Sequence, residues 1–357
     1  MRYSPFRHIG TALKKSDPIQ LTLFLTKRCN SSCPFCFYLS KENGTAKDEL
    51  TLNEIKKISS SMGNLLWLAF SGGEIFLRDD IVDITEVFYK NNRPSIILLP
   101  TNGLLTDTIV KKTEAILKKC PKSSIAVKLS VEGTEKLHDS IRGKGSFRKT
   151  MRTFTELGRL LDRYPNFDLG INTVFCSANQ DSMERVIDFV SELDNVRTHT
   201  ISLIRGDVAD EKLKDVDMDK YHKAIKKLES NLKDKTSKIY RFSGARLKAA
   251  QDILQRRLIY ETFTQKRQLV PCYAGKLNIV ITETGDIYPC ESFDKKMGNV
   301  RQDGYDMKKI INSEKARRII ASIKENRCYC THECYMMTNI LFNPMMYPAL
   351  LKEYMQL

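Results

Sequence analysis

Thr26-Lys27-Arg28-Cys29-Asn30-Ser31-Ser32-Cys33-Pro34-Phe35-Cys36 sets three cysteines in CxxxCxxC spacing directly behind Ile19-Gln20-Leu21-Thr22-Leu23-Phe24-Leu25. The preceding run is β-branched and aromatic and reads as a strand. A four-iron cube needs four ligands, and ferredoxin motifs supply all four from cysteine. A triplet leaves one iron open to a non-protein ligand, which points to catalysis and not to electron storage. A zinc knot or a disulfide loop is the other reading of the same cysteines. No fourth Cys or His lies close enough in sequence to complete a tetrahedral zinc site. A loop at the C-terminal end of a strand is where barrel enzymes place their chemistry.

Further apolar runs end in polar or glycine-rich turns. Leu65–Ser71 leads into Gly72-Gly73-Glu74, and Ser95–Leu99 into Pro100-Thr101-Asn102-Gly103. Ser124–Leu129 leads into Ser130-Val131-Glu132-Gly133 and then His138-Asp139-Ser140-Ile141-Arg142-Gly143. Two glycines at a strand end let the backbone approach a ligand closely, and Glu74 suits a ligand ammonium. Helical patterns at 52–62, 80–91, 106–119, 146–161 and 180–193 alternate with these strands and with strands at 167–175 and 198–204. Six βα units in series predict a parallel sheet with right-handed crossovers.

The chain has 357 residues, room for one large domain and a smaller one. No window approaches the length of an apolar membrane span, and Met1–Arg7 lacks the core of a secretory signal. The ten cysteines are grouped by metal-ligand spacing, which predicts a reducing, cytoplasmic location. Of the net charge of +15, a surplus of +8 falls between Glu211 and Gln268. Without Arg–aromatic interleaving this segment reads as the solvated face of helices, and no nucleic-acid partner is expected.

A second cysteine set closes the chain. Cys272 precedes a predicted hairpin, Leu277–Thr282 and Ile287–Pro289 about a turn at Glu283-Thr284-Gly285-Asp286, which ends in Cys290. Cys328, Cys330 and Cys334 follow. Cys330 and Cys334 are spaced as one helical turn. The set fits an iron–sulfur cluster, with a zinc ribbon as the structural alternative. Cys120 reads as packed. Cys176 ends the fifth strand and is a candidate hydrogen-atom donor, against the commoner role of a small buried hydrophobe. No histidine pair has metal spacing. The apolar stretch Tyr335–Leu351 contains Pro344 and Pro348 and so cannot be one helix. It reads as packing, as a lid on the second cluster, or as a contact to lipid.

The cysteine triplet, Gly72-Gly73-Glu74, Thr101-Asn102-Gly103 and the Ser130…Arg142 segment, in this order, resemble the radical S-adenosylmethionine (SAM) superfamily. Gly285 to Cys290 resembles the start of a SPASM or twitch domain, in its single-cluster form. The resemblance implies an α/β fold, a partial (β/α)6 TIM-like barrel followed by a small α+β iron–sulfur domain. The expected divisions are an extension at 1–18, the partial barrel at 19–210, a helical linker at 211–266 and the auxiliary cluster domain at 267–357. It implies a SAM-binding 4Fe-4S cluster on Cys29, Cys33 and Cys36, with SAM held by Gly72, Gly73, Glu74, Asn102, Ser130 and Arg142. An auxiliary 4Fe-4S cluster is expected on Cys272, Cys290, Cys330 and Cys334, with Cys328 left out. The implied activity is reductive SAM cleavage to a 5′-deoxyadenosyl radical, hydrogen abstraction, and oxidation of a sugar-like or lipid-linked substrate. A flavodoxin or ferredoxin would serve as reductant. The small-substrate reading follows from the roughly eighteen residues before the first strand, too few for a peptide-recognition module. Radical epimerisation and modification of ribosomally made peptides are the alternatives, and a non-catalytic iron–sulfur electron carrier is the rival from another class.

Overall fold

β1 (Gln20–Thr26), β2 (Trp67–Gly72), β3 (Ile96–Thr101), β4 (Ser124–Ser130), β5 (Phe167–Phe175) and β6 (Thr198–Leu203) form the six predicted parallel neighbours, in chain order across the sheet. The structure is a computed structural model and describes residues 2–38 and 45–357, without the side chain of Cys334. β1 to β5 are buried along most of their length, and β6 only at Ile201 and Leu203. Leu68, Phe70, Ile97, Leu99, Ile125, Val127 and Leu129 join the main core, while Trp67, Ala69, Ile96 and Ala126 meet Tyr240, Phe242, Ala245 and Met337 on the other side. Period-two alternation thus divides one apolar run between two cores. The β1–β2 register shifts between Phe24 and Thr26, where the chain leaves the sheet for the cysteine loop.

The sheet does not end at β1. β7 (Asn278–Ile281) pairs parallel to β1 through Gln20↔Asn278 and its successors. β8 (Asp286–Tyr288) and β9 (Gly298–Asn299) then add antiparallel, giving nine strands in the order β6-β5-β4-β3-β2-β1-β7-β8-β9. The predicted hairpin is present, and it covers what would otherwise be an exposed β1 edge. Arg301, just after β9, donates from Nε to Glu54 Oε1 at 2.7 Å, and Tyr305 Oη donates to the same oxygen at 3.0 Å. Glu54 also closes the capping box of helix Leu52–Ser60 with Thr51. The Arg301 hydrogen bond is the main influence holding Glu54 down, at a pKa of about 2 against 4.5. A carboxylate depressed in the folded state stabilises it above the unfolded pKa and loses that contribution as pH falls from ~4.5 towards 2. Glu54→Gln is therefore expected to flatten the acid limb of a thermal-stability profile in this window. An unchanged limb would show that the pair contributes nothing.

In the basic segment the lysines and arginines are exposed or half-buried, as a solvated face requires, with the exception of Arg256. Helix Ala245–Gln265 buries Ala249, Ala250, Gln251, Ile253, Leu254, Gln255 and Arg256, and Arg256 Nη2 donates to His199 O at 3.3 Å. Lys128, on the inner side of β4, donates from Nζ to Thr198 Oγ1 at 2.5 Å and Thr200 Oγ1 at 3.0 Å. Burial drops its pKa to about 7. The C-terminal stretch breaks as its prolines require, into helices Glu333–Leu341 and Tyr347–Met355. Glu353 anchors the second helix to Arg257 Nη1 at 2.6 Å. Among the described residues, no helix is long and apolar enough to cross a membrane.

Candidate active site

The cysteine loop is built on the end of β1 and held by the end of β2. Gly73 N donates to Thr26 O at 2.7 Å and Glu74 N to Arg28 O at 2.9 Å. A Cβ on Gly72, whose φ is +117°, would lie 2.3 Å from Thr26 O, and one on Gly73 would lie 2.1 Å from Arg28 O. The glycine pair is therefore needed for backbone packing against the cysteine loop itself. This requirement stands beside the expectation that the glycines let the backbone approach a ligand, since both also line the cavity described next. Gly73→Ala is expected to push the loop aside and lower iron retention at the first cysteine set by at least half, read by metal analysis after reconstitution. Full iron content in that variant would show that the loop can move without loss.

Cys29, Cys33 and Cys36 line a cavity of ≈ 650 Å³ together with Gly72, Gly73, Glu74, Thr101, Asn102, Ser130 and Arg142. All the residues expected at a SAM site thus meet in one space. Burial pushes the Cys29 thiol up to about 11, and Glu74, Cys33 and Cys36 raise it further. Asn102 Nδ2 donates to Asn30 Oδ1 at 2.7 Å, tying the β3 end to the loop. Glu74 accepts from Asn102 N at 2.8 Å, Thr101 Oγ1 at 2.9 Å and Phe76 N at 3.2 Å. Burial nevertheless brings Glu74 up to about 7, with those donors opposing.

The His138-Asp139-Ser140-Ile141-Arg142 run divides its labour. His138 Nδ1 accepts from Glu132 N at 3.2 Å, and burial lowers the imidazole to about 4, so it is neutral. Asp139 accepts from Phe147 N at 2.8 Å and Gly145 N at 2.6 Å, fixing the next turn. Arg142 alone reaches the cavity. It pairs with the fully buried Glu132 at 2.7 Å and stands 5.3 Å over the Phe35 ring.

The second cysteine set lines another cavity of ≈ 500 Å³, with Cys272, Cys290, Cys328 and Cys330 on its wall. Cys272 is pushed up to about 12 by burial and then by Cys330, Cys290 and Cys328. Cys328, left out on sequence grounds, is in this group. The expected helical turn between Cys330 and Cys334 is absent: the helix begins at Glu333 and Cys330 precedes it in irregular chain. The side chain of Cys334 lies outside the described residues. Among those described, no three His, Cys, Asp or Glu side chains converge on the position of one ion.

The two cavities share Phe37 and Arg205. The Arg205 guanidinium stacks 4.2 Å over the Phe37 ring and reaches Glu291 Oε2 at 2.8 Å, and His332 Nε2 meets that oxygen at 2.7 Å. Burial alone would raise Glu291, but His332 and Arg205 hold it at about 2. Each partner flanks a cysteine: Phe37 follows Cys36, Glu291 follows Cys290, and His332 lies two after Cys330. Asn172 and Ser202 also line the first cavity, and Ser202 Oγ donates to Glu333 Oε2 at 2.6 Å. Sequence reading missed Phe37, Asn172, Ser202, Arg205 and Glu333. A polar residue in the C-terminal half of each predicted strand was the available signal for Asn172 and Ser202. Cys176 is not on the cavity wall. It packs with Phe35, Ile141, Ile204, Val208 and Leu213, its thiol 3.6 Å from Asn179 Oδ1.

The model of the radical SAM superfamily matches residues 23–190, and that of an iron–sulfur cluster-binding (SPASM) domain matches 272–335. The antilisterial bacteriocin subtilosin biosynthesis protein AlbA of Bacillus subtilis is 25% identical over 301 residues, covering 81% of this chain and 59% of AlbA. The PqqA peptide cyclase of Bradyrhizobium diazoefficiens is 28% identical over 188 residues, covering 52% of this chain and 46% of the cyclase. The chain thus spans about half the length of these curated relatives. The solved structure of anSMEcpe with bound AdoMet aligns with a TM-score of 0.63 at 19% identity, over 95% of this chain and 96% of that one. That likeness concerns the fold.

Proposed function

From the premise that this chain belongs to the radical SAM superfamily and carries a SPASM domain, we propose that it modifies a peptide. Its cofactors are SAM, a SAM-binding 4Fe-4S cluster and an auxiliary cluster. The sugar-like or lipid-linked substrate expected from the sequence gives way here to the peptide alternative. What supports the change is the company of a bacteriocin biosynthesis protein and a peptide cyclase among the relatives. The observation that carries it in the structure is the pair of cysteine-lined cavities meeting at Phe37 and Arg205. A chain segment can lie across both.

The thiol donors fit iron–sulfur groups, since soft thiolates are their usual ligands. In this reading Cys29, Cys33 and Cys36 hold the first cluster. Glu74 and Asn102 receive the methionyl amine of SAM, while Ser130 and Arg142 face its carboxylate and ribose. Four of the five C-terminal cysteines hold the auxiliary cluster, and we assign Cys272, Cys290, Cys328 and Cys330. When bound, the reduced cluster and SAM together supply a 5′-deoxyadenosyl radical that takes hydrogen from an unactivated C–H. Glu132 keeps Arg142 fixed before any ligand arrives. Phe35, Ile141 and Ile204 exclude water behind the cysteine loop. Oxidation is preferred to epimerisation because Cys176 is packed away from the cavity.

Peptides encoded beside the gene provide the test, with reconstituted protein, SAM and a chemical reductant. A peptide product lighter by two hydrogens per SAM consumed is expected. An unmodified peptide, with 5′-deoxyadenosine release driven instead by a sugar or lipid, would overturn the proposal. Product of unchanged composition carrying solvent deuterium would assign epimerisation.

A further inference from the structure

The face at the N-terminal ends of β2 and β3, opposite the cysteine loop, carries an apolar surface flanked by unpaired cations. It is formed by two segments distant in sequence. The 3-10 helix Pro5–Ala12 and its cap present Phe6, Ile9 and Leu13, and the C-terminal helix region presents Met345, Tyr347, Leu351 and Met355. Leu13 and Met345 are 89% and 85% exposed, and Leu351 and Met355 are 57% and 68% exposed. These seven residues account for most of the exposed large hydrophobics among the described residues. Phe6, Ile9 and Tyr347 line one shallow cavity with Trp67 and Ile96, so the two segments are neighbours. Tyr347, Leu351 and Met355 recur every four residues, an unpartnered stripe along one side of a helix.

The charge of the surroundings selects the partner. Residues 2–16 hold Arg2, Arg7, Lys14 and Lys15 and no acid. Residues 341–357 hold Lys352 and one acid, Glu353, which is buried and paired with Arg257 and Lys233. Among the described residues Arg7, Lys14, Lys15, Arg246 and Lys352 make no ion pair. Arg7 and Lys15 instead donate to main-chain carbonyls, Leu65 O and Ala12 O at 2.7 Å each, and Arg246 donates to Tyr354 O at 3.2 Å. These bonds orient the cations without neutralising them. Large apolar side chains standing out of a cationic surround are the chemistry of a helix lying in a lipid headgroup layer. A second copy of this chain would bring the same positive charges against themselves.

We propose that this face docks the protein peripherally on an anionic bilayer. Leu13, Met345, Leu351 and Met355 enter the headgroup boundary, and Arg7, Lys14, Lys15, Arg246 and Lys352 contact lipid phosphates. The catalytic cavity, at the other end of the strands, then faces away from the membrane and stays open. The proposal is independent of the peptide reading.

The test uses the intact cluster-loaded protein and sedimentation with vesicles of phosphatidylcholine alone or mixed with phosphatidylglycerol. Binding should be at least tenfold tighter to the mixed vesicles and should fall with added salt. Lys14→Gln and Lys352→Gln should each weaken it about fivefold. Leu13→Glu with Leu351→Glu should abolish it while leaving the melting temperature and SAM binding unchanged, since both side chains are exposed. Equal binding to both vesicle types, or wild-type binding by the double Glu variant, would overturn the proposal. So would a concentration-dependent dimer, present without lipid, that the double Glu variant dissolves. That result would assign the face to a second copy.

Discussion

Replacing Cys29, Cys33 and Cys36 together by Ala should abolish 5′-deoxyadenosine release while leaving about four irons per chain at the second cysteine set. The two sets line different cavities that, among the described residues, share only Phe37 and Arg205, so loss of one need not unfold the other. The three sulfurs sit on a loop outside the sheet, and the main core does not include them. The variant should therefore keep its thermal transition within a few degrees of that of apo wild type. Continued SAM cleavage would refute the assignment of the first cluster. Loss of all iron would mean that the two sites form as one unit. Cys328→Ala in the same assay is expected to remove the auxiliary iron, because the structure groups Cys328 with Cys272, Cys290 and Cys330.

The second large effect is expected at Arg142. Its partner Glu132 has no exposed side-chain surface, accepts from Val174 N at 2.8 Å and loses its only ion-pair partner among the described residues when Arg142 is removed. Breaking a buried pair by deleting one member costs about 3–5 kcal/mol, because the other charge stays buried without compensation. Arg142→Leu should therefore lower unfolding free energy by that order and also abolish SAM binding. Glu132→Leu with Arg142→Leu should recover part of the stability and none of the binding. If Arg142→Leu binds SAM normally once allowance is made for unfolded protein, the residue is structural alone.

Much of this architecture is legible in the chain because parallel βα units announce themselves locally. The six barrel strands, the helices between them and the cysteine loop follow from alternation, strand-end glycines and spacing. What local pattern cannot carry is pairing between distant segments. Nothing in Asn278–Ile281 reveals that it lies beside Gln20–Leu23 and not in a separate sheet. Helix Ala245–Gln265 shows no apolar stripe, since it buries Gln251, Gln255 and Arg256 as well as its alanines and isoleucines. Its charge therefore reads as solvated throughout, whereas Arg256 is buried. Lys128 is hidden for the same reason: a lysine in a strand reads as an outward residue, and its partners Thr198, Thr200 and Tyr240 come from other elements.

At the site, motif residues were legible by type and less so by task. Gly72 and Gly73 line the cavity as a ligand site requires, and their lack of a Cβ also permits contact with Thr26 O and Arg28 O, which sequence does not reveal. The spacing of Cys330 and Cys334 matches one helical turn, but spacing cannot say where a helix starts, and this one starts at Glu333. Cys176 directly follows β5, which ends at Phe175, and Phe35 and Ile204 stand around it in the same apolar cluster. The neck residues Phe37, Arg205, Glu291 and His332 have no motif of their own. They come together only through folding, and the substrate class depends on such surfaces more than on the shared cofactor motifs.

The most direct measurement follows hydrogen from substrate to cofactor. A peptide substrate deuterated at its carbon positions is incubated with reconstituted protein, SAM and reductant, and the released 5′-deoxyadenosine is examined by mass spectrometry. The account predicts one deuterium transferred into 5′-deoxyadenosine for each peptide modified. Modified peptide accompanied by unlabelled 5′-deoxyadenosine would contradict it.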